Sequence, residues 1–143
     1  MISKFRAWDK RKSVMREVAV LHFTKGGKVN GIEYWKTPSE LKSYHVRNLA
    51  LMQSTGLKDK NGVEIFEGDY LHRKVHIVML GTDLNEWIDE TVQVEWKYGG
   101  WHVGEDLLEF SLEAGTDRHT GCYQTALEVI GNIYENPDLL EAE

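Results

Sequence analysis

The chain has 143 residues, 41% of them apolar, with five Trp, six Tyr and only two Pro, a length that buries roughly two-thirds of the unfolded surface and a composition that excludes disorder. Cys122 is the single cysteine, so there is no disulfide framework and a reducing cytoplasm is expected; Met1–Arg6 lacks the apolar core of a secretory signal, and no run approaches the ~18 apolar residues of a membrane span. The net charge of -6 hides an asymmetry: residues 1–50 carry eleven Lys/Arg against four Asp/Glu, residues 51–143 six against nineteen. A basic half can attract nucleic acid or an acidic partner, or pair with the acidic half of its own chain or of a second copy; pairing with itself is the reading adopted, because an overall acidic protein repels phosphate at long range.

In chain order, Lys4-Phe5-Arg6-Ala7-Trp8-Asp9 alternates as a strand and precedes the polar turn Lys10-Arg11-Lys12-Ser13. Val14 to Phe23 is apolar on both faces, the pattern of a strand buried on both sides, and Lys25-Gly26-Gly27-Lys28 returns the chain as Val29 to Trp35. Thr37-Pro38-Ser39-Glu40 has the residues of a helix start, with Thr37 as cap, Pro38 at the first position and Glu40 reaching back, which predicts a short helix carrying Leu41, Tyr44 and Asn48. Asn48 to Gln53 reads as a strand and Ser54-Thr55-Gly56 as a turn; Asn61-Gly62 marks a two-residue hairpin.

From Asp69 to Leu80 the apolar residues Leu71, Val75, Ile77 and Met79 alternate with His72, Lys74 and His76. Thr91 to Lys97 alternates more cleanly, with Val92, Val94 and Trp96 on one face, and Gly99-Gly100 turns into Trp101-His102-Val103. Glu105 to Glu113 fits a strand on Leu108, Phe110 and Leu112 and a helix on Leu108 and Leu112; strand is the reading adopted. Leu127 to Tyr134 closes the fold, and Asn136-Pro137-Asp138 starts one helical turn in an acidic tail. The fold class expected is mainly β: a basic N-terminal β-meander with a short helix over 1–50, then an acidic, small SH3-like antiparallel barrel over 51–143, the two packed as one unit.

Three stretches carry a family resemblance: Leu51 to Gly62, reading LMQSTGLKDKNG, then Ile65-Phe66-Glu67-Gly68-Asp69, and Val129 to Pro137, reading VIGNIYENP. With the opening Phe5-Arg6-Ala7-Trp8-Asp9 they resemble the YopX family of phage and prophage proteins; Ser54 stands where the pattern has an aromatic. The resemblance implies a phage or prophage origin, a β-rich fold and self-association, and it carries over no catalytic residue. Its signature positions Gly56, Leu57, Asn61, Gly62, Gly68, Asp69, Gly131 and Asn132 read physically as turn and anchor residues.

The chemical candidates weigh against catalysis. His72 and His76 lie on one strand face about 13 Å apart, too far for one zinc ion. Glu95-Trp96-Lys97 with Asp83, Asp89 and Glu90 has the residue types of a metal-dependent nuclease, but Glu-x-Lys arises by chance in a chain with 28% charged residues. No nucleophile elbow or phosphate-binding Gly loop occurs, and no cofactor is expected. Arg6, Trp8, Lys10, Arg11 and Lys12 combine cations with an aromatic and form the expected interaction surface, with Lys4, Phe5 and Arg16 beside them. The function expected is a non-catalytic protein-interaction or self-assembling module of the host cytoplasm, partnered by its own copies or by a phage or host protein and not by a membrane. Nucleic-acid binding through the basic region is the alternative, and nuclease activity the third.

Overall fold

The structure is a computed structural model that describes residues 4–78, 81–83, 85–117 and 121–140; Met1–Ser3, and Met79 of the alternating strand, lie outside the described residues. The fold is mainly β with a curled, half-barrel sheet, as the alternation predicts. The strands are β1 (Phe5–Asp9), β2 (Val14–Phe23), β3 (Val29–Thr37), β4 (Glu40–His45), β5 (Leu49–Lys58), β6 (Glu64–Phe66), β7 (Asp69–Val78), β8 (Asn85–Lys97), β9 (Gly100–Val103), β10 (Asp106–Leu107), β11 (Gly115–Thr116), β12 (Tyr123–Gln124) and β13 (Glu128–Asn132). Single 3₁₀ turns occupy Val46–Asn48, Leu108–Phe110 and Pro137–Leu139. The chain divides into two compact units, Met1–Gly56 and Leu57–Glu143. Among the described residues no helix is long and apolar enough to cross a membrane.

In the first unit β1 to β4 form an antiparallel meander, and β5 returns to the free side of β1, giving the order β4-β3-β2-β1-β5. Its core is thin: Ala7, Ile32, Tyr34 and Leu49 are buried, with Val18, Leu21, Tyr44 and Leu51 packed against them. The short helix predicted from Thr37 is absent. Pro38 and Ser39 instead make the turn between Thr37 and Glu40, which pair across β3 and β4. The same residues serve either role, because Pro without an N–H suits the second position of a turn as well as the first turn of a helix; strand pairing of Tyr44 with Ile32 and Leu41 with Trp35 decides it.

Two further expectations for this unit fail. No residue of β2 is buried, although it is apolar on both faces. Ser54-Thr55-Gly56 is the continuation of β5, not a turn. Ser54 donates its N–H to the Lys4 carbonyl at 2.7 Å, while Gly56, at φ +79°, absorbs the bend and bonds the Ser54 hydroxyl at 3.1 Å.

In the second unit the strand order is β10-β9-β8-β7-β12-β11, with β13 pairing the first half of β7 and β12 the second. Ile65, Leu71, Val94, Val103, Leu108 and Leu127 form its core, flanked by Leu57, Val92, Trp101, Leu112 and Val129. Each such side chain contributes about 1.5–3 kcal/mol on burial, so this core is the stronger of the two. The alternation predicted for Thr91 to Lys97 holds through Val94, but Trp96 is exposed at the strand end and meets Trp101 edge-on at 5.0 Å.

The hairpins form where expected with altered geometry. At Asn61-Gly62 only Gly62 takes a positive φ, +80°. The Gly62 N–H reaches the Asp59 carbonyl at 3.0 Å and the Asp59 N–H the Val63 carbonyl at 2.9 Å, which is a three-residue loop with a glycine bulge rather than a two-residue turn. Between β8 and β9 the turn residues are Tyr98, φ +54°, and Gly99, φ +78°, one position before the expected pair. Glu105 to Glu113 is strand only at Asp106–Leu107 and then a 3₁₀ turn that buries Leu108.

Candidate functional site

The basic surface begins on β1, which lies between β2 and β5. Alternation turns Ala7 and Asp9 into the core and leaves Arg6 and Trp8 half-buried on the opposite face. Asp9 then organises the loop that follows. Its Oδ1 accepts from the N–H groups of Arg11 at 3.0 Å and Lys12 at 3.1 Å, and its carbonyl accepts from Ser13 at 2.7 Å, with Ser13 in the left-handed region at φ +54°. Burial of Asp9 opposes ionisation, but the Lys12 and Arg11 N–H groups and the Arg16 guanidinium outweigh it and hold the carboxyl below the usual range. The result is a fixed loop on which Lys10, Arg11 and Lys12 all stand exposed.

Arg16 does not join them. It turns toward the core, pairing with Asp9 at 3.4 Å and lying over the Tyr34 ring at 4.6 Å. The exposed cations of this end are therefore presented by the loop itself.

The signature residues of the second unit converge. Asp59, almost fully buried, accepts at Oδ1 from Asn61 at 2.8 Å and Val63 at 2.9 Å, and at Oδ2 from the Val129 N–H at 2.8 Å, which joins the Asn61-Gly62 loop to β13. Gly68, at φ +84°, bonds Val94 and Ile133 through its backbone. Asp69 accepts from the Phe66 N–H at 2.8 Å and pairs in register with Asn132. Asn132 Oδ1 accepts from Tyr134 and Glu135, and its N–H donates to Asn136 Oδ1. Gly131 has no room for a side chain, since a Cβ there would lie 2.4 Å from Asn136 Oδ1. This cluster holds chain segments together and presents no reactive group.

The polar groups weighed for catalysis are dispersed. His72 lies between Asp89, at 2.7 Å, and Glu128, at 3.4 Å, whereas His76 packs on Trp87 at 4.8 Å. Glu90 binds Arg73, and Lys97 lies between Glu95 at 3.9 Å and Glu105 at 3.5 Å. Among the described residues no group of three or more His, Cys, Asp or Glu is placed to hold a metal ion. Arg73 is a site the sequence pattern missed. It occupies the inward row between Leu71 and Val75, buried, with Nε and Nη2 each 3.3 Å from the Glu90 carboxylate.

Comparison with known proteins follows the same lines. No protein with a curated description matches the sequence. Among solved structures the chain is similar to protein EF1440 from Enterococcus faecalis, with 29% identity, 98% of this chain and 99% of that one covered, and a TM-score of 0.64. The family model described as YopX protein matches residues 4–141, and the chain therefore belongs to the YopX family.

Proposed function

We propose that this protein is a non-catalytic, self-associating interaction module of phage or prophage origin that works in the host cytoplasm. The observation that carries the reading is the opposition of charge between its two units. Residues 1–56 carry eleven Lys/Arg against four Asp/Glu and residues 57–143 six against nineteen, and the first unit presents Lys10, Arg11 and Lys12 on a fixed, exposed loop. Opposite charges on separate copies attract, steer encounter and set register.

The thin first unit supports the same reading. Trp35 and Leu41 pair across β3 and β4 and are more than 40% exposed, with Val20 on the same face opposite Glu33. A strand such as β2, which packs Val18 and Leu21 on the core and leaves Val14, Val20 and Phe23 exposed, suits a partner that completes its burial. The acidic unit, on this view, is a small SH3-like barrel used as a docking body.

A second reading, nucleic-acid binding, draws on the two-residue spacing of Arg6 and Trp8 on one face of β1 followed by the cationic loop. Mobility-shift assays with short single- and double-stranded DNA and RNA, run beside sedimentation of the protein alone, separate the two. The interaction-module reading expects masses above the monomer and no retarded band. Retardation that disappears when Arg6, Lys10 and Arg11 are neutralised, with a monomeric protein, would overturn it.

A further inference from the structure

We propose that the protein self-associates by strand addition, with β4 of one copy lying antiparallel along the open edge of β8 in a second copy. This rests on the self-association proposed above and names its interface.

Each of these strands has a side that no other strand occupies among the described residues. β4 pairs with β3 and ends its sheet. β8 pairs with β7 from Asn85 to Gln93, but β9 takes its other side only from Val94 to Lys97. An open edge is a row of backbone N–H and C=O groups ready to pair with another chain, and proteins that stay apart blunt it with proline, bulges or lysine. The open stretch of β8 has none of these: it contains no Pro or Lys, its ladder with β7 runs without a register shift, and Trp87 and Ile88 are exposed on it. Its charges are Glu86, Asp89 and Glu90, which repel a second β8 and favour a basic strand.

β4 supplies that strand. Lys36, Lys42 and Arg47 lie on it or beside it against the single carboxylate Glu40, and Glu40 to Ser43 are exposed. Residues opposite each other in an antiparallel ladder share a face, and like charges there are unfavourable, so charge selects the register. Among the antiparallel registers that keep all of β4 within Asn85–Val92, one sets Glu40 against Glu90, and another spends Lys42 on Glu90, which Arg73 already neutralises. The register between them sets Lys42 against Asp89, Ser43 against Ile88 and Tyr44 against Trp87, which adds an ion pair and an aromatic pair to the backbone ladder. Because β4 belongs to the first unit and β8 to the second, the contact is head-to-tail and every copy offers both edges.

The test is disulfide trapping at low salt in a Cys122→Ser chain, which lacks the single native thiol. Ser43→Cys and Ile88→Cys chains are mixed with oxidised glutathione. Cβ atoms facing each other across a ladder lie about 4.5–5.5 Å apart, close to the span of a disulfide, so the mixed dimer is expected at about tenfold or more the yield of either chain alone. Lys42→Cys mixed with Ile88→Cys is the control, since those side chains stand on opposite faces. No mixed dimer, a yield equal to the control, or a dimer of Ser43→Cys chains alone would overturn the interface. A second arm reads mass by light scattering: Lys42→Glu and Asp89→Lys are each expected to weaken association by about tenfold or more, with wild-type circular dichroism, and their equimolar mixture to regain the wild-type mass. Single variants of wild-type mass, or loss without recovery in the mixture, would overturn the interface while leaving self-association standing. A wild-type protein that is monomeric at every salt concentration would overturn both.

Discussion

Replacing Asp59 by Ala removes one carboxylate that accepts three backbone N–H groups, from Asn61 at 2.8 Å, Val63 at 2.9 Å and Val129 at 2.8 Å. The first two lie in a loop whose Val63 is exposed, so water can replace the acceptor and each bond counts for about 0.5–1.5 kcal/mol. The Val129 N–H bonds a charged acceptor across 70 positions of sequence and counts for about 1.5–3 kcal/mol. The sum is about 2.5–6 kcal/mol, a large part of the stability of a unit this size, and it lowers the melting temperature by about 10 °C or more. Asp59→Asn keeps one oxygen for the loop but sets an amide donor against Val129, so it loses chiefly the long-range bond. Urea unfolding followed by tryptophan fluorescence gives the free energies, and amide exchange at Val129 shows which bond was lost. An Asp59→Ala protein with the wild-type midpoint and a protected Val129 amide would refute the reasoning.

Gly131→Ala places a methyl 2.4 Å from Asn136 Oδ1 and 2.9 Å from Leu139 Cδ1 and is expected to cost about 1–3 kcal/mol; Asn136→Ala in the same chain recovers part of this in thermal melts, and full additivity of the two would contradict the steric account. Tyr98 takes φ +54° at 81% exposure, so Tyr98→Asn is expected to stabilise by about 0.5–1 kcal/mol; a drop in stability would mean that its contacts with His102 and Lys97 outweigh the backbone strain. Asp9 has a folded-state pKa below its ordinary value of 3.8, so its contribution is present above that value and is lost as pH falls from about 4 through the folded value. Unfolding free energies of wild type and Asp9→Asn therefore converge toward low pH, and a constant difference would contradict the shift.

What was legible in the sequence was local. Val92 and Val94 alternate because one sheet face is buried, and Gly27, Gly62 and Gly99 mark hairpins because each takes a positive φ. The Pro137 turn is likewise a matter of adjacent residues. Where the same residues serve two local structures, tertiary pairing chose: Thr37-Pro38-Ser39-Glu40 has the chemistry of a helix start and of a turn, and the β3–β4 ladder selects the turn. Ser54 and Thr55 are turn-formers by composition yet nearly fully buried in β5, held by a bond to Lys4 from the far end of the unit.

Long-range chemistry was hidden for the same reason. Arg73 looks like an exposed polar position until Glu90, 17 residues on, neutralises it, and nothing near Asp59 announces Val129. The resemblance located the joining residues around Asn61, Asp69 and Asn132, but not the Arg73–Glu90 pair.

The claim that opposite charges on the two units drive self-association is tested most directly by light scattering across a salt series, from about 50 mM to about 1 M, over which the screening length falls from beyond 10 Å to about 3 Å. The account predicts an assembly at low salt whose mass falls toward that of one chain, 16.5 kDa, as salt rises. A mass of one chain at every salt concentration, or an assembly that salt leaves unchanged, would contradict it.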